Sequence, residues 1–308
     1  MVKTIHDINI ELNNNKELFI KQSDDNYINN LHKIADKIAK NRADSPIILI
    51  SGPSGSGKTT TALTIEKYLD EVGFETHSIS LDNYFIPISN TDRLLLEKGK
   101  LDLESPKRVD VDLLNTQLKQ MINCEEVRLP RYDFTTSNRV DSGITLKRKP
   151  NELVVLEGIH SLNPEVVELP DENTVKIYVS VRTRLKYGNI TLHPAYIRLM
   201  RRMMRDSIFR GRTPQETIKM FKSVEDGEEK FIMPFKYRSD IDVDTFIPYE
   251  LSVYKPFLLD KLKEIELTDN IDNMIKMLQA FDPVDERLVP KNSLIREFIG
   301  NSEHIYKN

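Results

Sequence analysis

The chain has 308 residues, 39% of them hydrophobic and 30% charged, which is typical of a globular protein that folds in water. Its formal net charge of −4 argues against general binding to nucleic acid or to an anionic membrane, so we expect neither as a partner. A single cysteine, Cys124, excludes an intrachain disulfide, and the lack of a membrane-length apolar stretch or a secretory signal predicts a cytoplasmic protein.

Residues 1–43 are predicted to form an N-terminal appendage that packs on the main domain. Apolar and polar residues alternate across residues 1–20, around Asn13–Asn15, and this pattern predicts a small hairpin. Apolar residues then recur at helical spacing from about residue 25 to residue 40, which predicts a helix. The polar residues 41–46 follow, and we expect a linker or turn there.

Short apolar segments from Pro46 onward alternate with helical patterns and predict an α/β fold. The segments are rich in valine and isoleucine, as are strands buried on both faces of a parallel sheet. They are Ile47–Ile50, Thr76–Leu81, Leu153–Leu156 and Val175–Val181. We therefore expect a mainly parallel sheet flanked by helices within a main domain of residues 44–282, with ligands bound beyond the carboxyl ends of the strands. Residues 283–308 are assigned to a polar C-terminal tail with one short helix candidate.

An antiparallel hairpin is predicted inside this parallel fold. Residues Glu125–Asp133 and Arg139–Lys149 alternate polar and apolar side chains on either side of Thr135–Asn138. The hairpin is either a flap over a substrate or an edge decoration, and functional loops concentrate at such insertions. Helical patterns after the last strand cover about Ala195–Ile208, Pro214–Phe231, Pro256–Ile265 and Ile271–Phe281.

A phosphate-binding loop follows the first strand of the main domain. The residues Gly52 to Thr59 fit the pattern G-x-x-x-x-G-K-[ST] without a mismatch, between an apolar strand and a helical pattern. Glycines allow the backbone N–H groups to turn inward as an anion nest, which the helix N-terminus extends. The predicted nucleotide-binding residues are Gly52, Ser54, Gly55, Ser56, Gly57, Lys58, Thr59 and Thr60. The alternative, a glycine-rich turn that merely joins strand to helix, does not account for the Lys58-Thr59 pair.

Two acids come at the ends of later strands. Asp82 follows the second strand, where it can accept the proton of a hydroxyl that attacks the γ-phosphate of ATP, or simply cap the loop. Glu157 ends the third strand, where such folds hold a second acid near Mg²⁺, and a structural glutamate is the alternative. ATP and Mg²⁺ are therefore the expected cofactors.

Six arginines lie within fifteen residues near the predicted helix 195–208, and they would repel one another without anions between them. They are Arg198, Arg201, Arg202, Arg205, Arg210 and Arg212. Transferring phosphates supply such anions, because guanidinium groups pair with phosphate oxygens. The alternatives are a solvated basic face, ion pairs with Asp206 and Glu225, or a nucleic-acid patch, which no aromatic interleaving supports.

Several of these segments occur in the order of a known family. They are GPSGSGKTT at 52–60, SLDNYF at 80–85, LPRYDF at 129–134, VVLEGIHSLNPEV at 154–166, IYVSV at 177–181 and RRMMRDSIFRGR at 201–212. Over about residues 45–250 the chain resembles the phosphoribulokinase/uridine kinase family, and most closely its uridine kinase-like members. The resemblance implies a P-loop NTPase fold and transfer of the ATP γ-phosphate to a small-molecule acceptor, a nucleoside 5′-hydroxyl by the closest analogy.

The resemblance also assigns roles to individual residues. It implies that Asp82 is the catalytic base, that Lys58, Arg205 and Arg210 act on the transferring phosphates, and that Mg²⁺ is held directly or through water. The implied metal ligands are Thr59, Asp82 and Glu157. The implied acceptor-binding residues are Tyr84, Glu104, Tyr132, Phe134, Arg202 and Arg212. Homo-oligomers are common in the family, so self-association is an expectation from the resemblance.

The acceptor-binding positions depart from the family pattern. Leu103-Glu104-Ser105-Pro106 stands where the family usually has Phe-Asp-His-Pro, residues 135–138 lack the histidine that reads a pyrimidine, and Met220 replaces an expected glutamine. The segment between Val181 and Arg198 is also longer than usual. Uridine or cytidine is the expected acceptor. The alternatives are another nucleoside, a sugar phosphate, or a nucleotide-binding regulatory protein with little kinase activity.

Overall fold

A computed structural model of the chain describes residues 1–41, 45–97, 101–266 and 268–306. The strands are β1 Val2–Thr4, β2 Ile47–Ser51, β3 Thr76–Ser80, β4 Glu126–Asp133, β5 Asn138–Lys147, β6 Leu153–Glu157, β7 Thr174–Ser180, β8 Arg184–Tyr187, β9 Ile190–Leu192 and β10 Ile241–Asp244. The α-helices are α1 Ile5–Asn41, α2 Lys58–Glu71, α3 Asn90–Glu97, α4 Val111–Ile122, α5 Pro194–Phe209, α6 Pro214–Phe231, α7 Glu250–Lys263, α8 Asp269–Ala280 and α9 Arg296–Ile299. The linker predicted at residues 41–46 lies partly outside the described residues.

The central sheet has five strands in the order β10-β7-β2-β6-β3, and each neighbouring pair is parallel. The strand β2 is buried at every position, and so is β6 up to its last residue, because helices cover both faces of the sheet. Apolar side chains form one core on each face. The predicted α/β fold with a mainly parallel sheet is confirmed. All the strands point the same way, so their carboxyl ends meet at one edge.

The hairpin predicted around Asn13–Asn15 is wrong, because this stretch lies in the helix α1. That helix is interrupted at Asn15, where φ is −158° and ψ is 92°. Ile8 and Leu12 are buried at helical spacing together with Ile5, whereas Ile10 is 43% exposed. The alternation was therefore produced by exposed apolar side chains, Ile10 and Leu18, on the outer face of a helix.

A second, smaller sheet joins the N-terminus to the extra segment that follows Val181. The strand β1 pairs in parallel with β8, which pairs antiparallel with β9. The helix α1 packs against α2, which follows the phosphate loop. The N-terminal residues and the extra segment thus form one layer on the phosphate-loop side of the domain.

The inserted hairpin is confirmed as β4 and β5, with an irregular register between Arg128 and Pro130. Proline has no N–H to give to the ladder, which explains an irregularity beside it. The polar C-terminal tail is not a solvated extension in the structure, since Leu294, Ile295 and Phe298 are fully buried. None of the described helices combines the length and the apolar character needed to cross a membrane.

Candidate active site

The phosphate loop connects β2 to α2 at the carboxyl edge of the central sheet. A Cβ atom on Gly52 would lie 1.9 Å from the carbonyl oxygen of Val179, so only glycine fits this close approach of two backbones. Gly55 and Gly57 have φ angles of 75° and 86°, which L residues rarely adopt. The helix begins at Lys58, whose Nζ donates to the carbonyl of Pro53 at 3.3 Å. The geometry is that of an anion nest.

Neighbouring elements hold the loop by its carbonyl groups. Arg201 Nη1 donates to the Gly55 carbonyl at 3.2 Å, and the Thr245 hydroxyl donates to the Ser56 carbonyl at 2.6 Å. Arg201 also donates to the carbonyl of Thr245 at 2.6 Å, so the two contacts belong to one buried network. These bonds fix the loop without using its N–H donors.

The two predicted acids lie on adjacent strands. Glu157 is the last residue of β6 and pairs in register with Ser80, two residues before Asp82. The Ser80 hydroxyl accepts from the N–H of Asp82 at 3.3 Å and so fixes the turn that presents this carboxylate. Burial raises the pKa of Asp82 and Lys58 opposes this. Burial also raises the pKa of Glu157 to about 7, with Lys58 opposing and Asp82 adding to the shift. One ammonium and two carboxylates are thus electrostatically coupled beside the loop.

The donor set of Thr59, Asp82 and Glu157 fits Mg²⁺. A hydroxyl and two carboxylates are the hard oxygen ligands that this ion prefers. A hydrogen bond with Thr59 lowers the pKa of Glu157, so this hydroxyl faces the carboxylate. Both acids are half-buried and Lys58 is the cation that offsets their charge, so a divalent cation here would compensate the electrostatic cost of burying them.

The arginine helix α5 is buried rather than solvated along its first part. Arg198, Arg201 and Arg202 are exposed by 6% or less, which excludes a solvated basic face or a nucleic-acid patch for them. Arg198 Nη2 donates to Glu228 at 2.6 Å, and Arg201 is paired with Glu250. The partners of these two arginines are therefore not Glu225, the residue expected from the sequence.

Two of the remaining arginines, Arg210 and Arg212, pair with Asp206, as the ion-pair interpretation predicts. Arg210 lies 3.0 Å and Arg212 lies 3.9 Å from this fully buried carboxylate. Arg202 donates to the hydroxyl of Ser54 in the phosphate loop, and burial, together with the neighbouring Arg205, lowers its pKa to about 10. Arg202 thus reaches the loop, whereas Arg210 and Arg212 are held around Asp206 at the end of α5.

The predicted acceptor-binding residues divide into two groups. Glu104 lies close enough to Arg202 and Lys58 for both to lower its pKa, although burial raises it more. Tyr132 and Phe134 of the hairpin pack edge to face, with ring centroids 5.1 Å apart, and Phe134 is 60% exposed. Tyr84, in contrast, is fully buried, and its hydroxyl donates to Gln117 at 2.8 Å. The structure therefore brings Glu104 to the acids and places the Tyr84 ring in the core.

Three residues at this site were not predicted from the sequence. Thr245 and Glu250 hold the loop through Arg201, and Glu297 accepts hydrogen bonds from Thr60. The apolar residues around Glu297 predicted a short helix within a polar tail and gave no indication of what it packs against.

The similarity to known proteins agrees with the motifs. The Phosphoribulokinase / Uridine kinase family model matches residues 47–250. Among curated relatives, the uridine kinase of Ligilactobacillus salivarius is 34% identical over 206 residues, which are 66% of this chain and 87% of that protein. The uridine kinase of Halobacterium salinarum is 32% identical over 193 residues, or 62% of this chain and 76% of that protein. That of Staphylococcus aureus strain Newman is 35% identical over 200 residues, or 63% of this chain and 85% of that protein.

Solved structures support the fold. A candidate fructose transport system kinase from Silicibacter sp. TM1040 has a TM-score of 0.52 at 16% identity, covering 69% of this chain and 98% of that chain. YFH7 from Saccharomyces cerevisiae, described as a P-loop-containing kinase with a circular permutation, has a TM-score of 0.51 at 12% identity and the same two coverages. At these identities the likeness concerns the fold alone.

Proposed function

This chain belongs to the phosphoribulokinase/uridine kinase family, and we propose that it transfers the γ-phosphate of ATP to the 5′-hydroxyl of a nucleoside, with uridine or cytidine as the favoured acceptor. As a family member it is a phosphotransferase with an alcohol group as acceptor. The nucleoside, ATP and Mg²⁺ are the parts that we propose.

One observation carries the proposal: Asp82 and Glu157 lie on adjacent strand ends at the carboxyl edge of the sheet beside the phosphate loop, close enough to Lys58 for this cation to oppose the rise in both their pKa values. A P-loop NTPase needs a nest for the phosphates, a lysine on the β- and γ-phosphates and oxygen ligands for a metal ion. A kinase needs, in addition, a carboxylate that can reach the acceptor hydroxyl. Asp82 supplies that carboxylate.

The reaction follows from these positions. The acceptor oxygen attacks the γ-phosphorus, the bond from this phosphorus to the bridging oxygen of ADP breaks, and the hydroxyl proton passes to the carboxylate of Asp82. Burial raises the pKa of Asp82, which makes it a better proton acceptor than a solvated aspartate. Lys58 neutralises charge on the phosphates, and we assign the same role to Arg205 and Arg210. Mg²⁺, held by Thr59, Asp82 and Glu157, would supply charge neutralisation at the phosphate oxygens.

The acceptor is proposed to bind between Glu104 and the hairpin. The carboxylate of Glu104 can accept hydrogen bonds from two sugar hydroxyls, and the nearby Arg202 favours its charged form by lowering its pKa. The exposed ring of Phe134 offers an apolar face to a base. We propose that three further residues surround the acceptor, namely Arg212, Tyr132 and Tyr84. Of these, Tyr84 would contribute from its buried position in the core.

A second acceptor class is favoured by the departures in this pocket. Met220 is 40% exposed where a glutamine is usual, and a thioether cannot donate the hydrogen bond that reads a base. A site without such donors discriminates less among acceptors. The second candidate is therefore a kinase for another nucleoside or for a sugar phosphate.

The test measures ADP release from MgATP with a panel of nucleosides and phosphorylated sugars. Stimulation by uridine or cytidine, lost in Asp82→Asn, would support the proposal. Asp260→Asn is the matched control, because this aspartate is exposed and pairs with the nearby Lys263 on α7. Stimulation by another compound would replace the acceptor and keep the mechanism. Bound ATP with no stimulation by any acceptor would contradict the kinase proposal and favour a regulatory protein.

A further inference from the structure

The C-terminal segment, residues 284–306, lies beyond the family match, and its residues Leu294 and Glu297 contact the phosphate loop and the first turn of α2. It is fixed at its start by the N–H of Val284, which donates to the carbonyl of Ser252 at 3.0 Å, and in its middle by the hydroxyl of Ser293, which donates to Asp24 of α1 at 2.6 Å. The guanidinium of Arg296 donates to the carbonyls of Glu286 and Gly300, among others, which closes the segment on itself. The segment is therefore an ordered part of the domain and brings its side chains to a defined place.

That place is the first turn of α2. The carboxylate of Glu297 accepts a hydrogen bond from the hydroxyl of Thr60 at 2.5 Å and from its backbone N–H at 3.3 Å. The N–H groups of this turn have no partner within the helix, and in P-loop proteins the loop's N–H donors cradle the α- and β-phosphates. Glu297 is only 8% exposed, so its charge is held at the loop rather than in solvent. A carboxylate thus occupies a donor that a nucleotide phosphate would use.

Neighbouring contacts extend the coverage of the loop. Leu294 lies so close to Gly57 that a Cβ atom there would be 2.7 Å from the leucine Cδ1. The other carboxylate oxygen of Glu297 lies 3.6 Å from Nη1 of Arg205, one of the two arginines assigned to the transferring phosphates. The hydroxyl of Tyr306 is 3.2 Å from that of Thr60. One segment therefore covers the loop, one of its N–H donors and a phosphate-binding arginine together.

We propose that Glu297 forms an autoinhibitory contact, in which its carboxylate competes with the α-phosphate of the nucleotide for Thr60. The inference rests on the proposed function, since it takes the loop to be the ATP site. Opening the contact requires the Glu297 side chain to turn away and residues 301–306 to loosen. The latter are held partly by an exposed ion pair, Lys67 to Glu303, which contributes little. The buried start of the segment can stay in place.

The experiment compares binding of MgADP to the full-length wild type, Glu297→Ala and Glu297→Gln by isothermal titration calorimetry. We expect Glu297→Ala to bind about tenfold more tightly, because a competing charge-assisted hydrogen bond is removed. Glu297→Gln keeps the shape of the side chain and loses its charge, so its affinity for MgADP is expected to lie between those of the wild type and Glu297→Ala. If the alanine variant does not fold, the comparison of Glu297→Gln with the wild type decides the question. Glu286→Gln is the matched control, because it removes an exposed negative charge from the same segment and leaves both Thr60 and the Lys67–Glu303 pair in place.

The outcomes separate the inference from the proposed function. Tighter binding by the Glu297 variants, with Glu286→Gln unchanged, supports the autoinhibitory contact. Nucleotide binding by the wild type with equal or weaker binding by the Glu297 variants overturns the contact and leaves the kinase proposal standing. An equal gain in Glu286→Gln assigns the effect to net charge and also overturns it. No binding by any variant overturns both proposals.

Discussion

Arg201 and Glu250 form a buried ion pair with two hydrogen bonds, from Nε at 2.7 Å and from Nη2 at 3.0 Å, and neither side chain is exposed. The same guanidinium donates to the carbonyl of Gly55 in the phosphate loop. The pair thus connects α5, the start of α7 and the loop. An arginine that resembles a phosphate ligand in the sequence is in fact part of the support that shapes the phosphate site.

Glu250→Gln is predicted to lower the free energy of unfolding by about 3–5 kcal/mol, because it leaves the buried guanidinium without its counter-charge. Urea denaturation followed by circular dichroism measures this loss. Glu229→Gln is the control, since Glu229 is exposed on α6 and its substitution is expected to change stability by about 0.5 kcal/mol or less. Equal stability of the two variants would contradict the supporting role of the pair.

Because the carboxyl group of Asp24 is buried, we predict that the free energy of unfolding depends on pH. Its carboxylate accepts from Tyr249 at 2.5 Å and from Ser293, and burial raises its pKa from 3.8 to about 6. The folded state therefore holds this proton more tightly than the unfolded state. The resulting stability is fully present below about pH 4 and is lost as the pH rises through about 6.

Between about pH 4.5 and about pH 7 this group is expected to reduce the free energy of unfolding by about 2 kcal/mol, and Asp24→Asn should lack that decrease. Denaturant unfolding at the two pH values, for the wild type and the variant, measures the difference. Asp226→Asn serves as control, because Asp226 forms an exposed pair with Lys222, four residues away on another helix, α6. The same pH slope in Asp24→Asn and the wild type would refute the assignment.

The sequence was sufficient wherever the signal is local. The loop from Gly52 to Thr59 is one contiguous motif, the strands of the central sheet are unbroken apolar runs, and the hairpin β4–β5 has clean alternation on both sides of its turn. Backbone geometry at these places depends on residues next to one another, so the pattern and the structure agree. The acids Asp82 and Glu157 could be placed because they end such strands.

The sequence was insufficient wherever a role depends on a distant partner. Glu297 is separated from Thr60 by 237 positions, and a glutamate in a polar tail has the same local pattern whether it is solvated or buried. Glu250 likewise gains its role only from Arg201, 49 positions away. The alternation of Ile8 and Ile10 was ambiguous between strand and helix, and tertiary packing decided it, since Asn9 and Asn13 of this stretch donate to the distant Ala280 and Asp282.

Glu104→Gln tests the proposed contact with the acceptor. The variant keeps the size of the side chain and loses the charge that accepts hydrogen bonds, so the KM for the acceptor is expected to rise about tenfold or more. The KM for ATP should change little, because Glu104 is not part of the phosphate loop. Steady-state kinetics with each substrate varied in turn separates the two effects. Asp102→Asn is the control, since Asp102 is exposed and its amide can still accept from the N–H of Glu104. A rise confined to the KM for ATP would show that Glu104 acts on the nucleotide rather than on the acceptor, and would contradict the prediction.

Phe134→Ala decides whether the hairpin is a substrate flap or an edge decoration. The ring is 60% exposed and packs edge to face with Tyr132 and Phe85, so its removal should change stability little. A nucleoside base that stacks on this ring would lose about 1–3 kcal/mol of binding, which raises the KM for a nucleoside about tenfold or more.

Ile144→Ala is the matched control for this prediction, because Ile144 is also exposed on β5 but lies away from the turn that carries Phe134. A rise in the acceptor KM for Phe134→Ala alone, measured at saturating ATP, supports the flap. The size of the change in KM also indicates the class of acceptor. A sugar phosphate has no base to stack, so the KM for a sugar phosphate would not depend on the Phe134 ring. An unchanged KM for the most active nucleoside would show that the hairpin is an edge decoration and that its exposed aromatic ring serves something other than the acceptor.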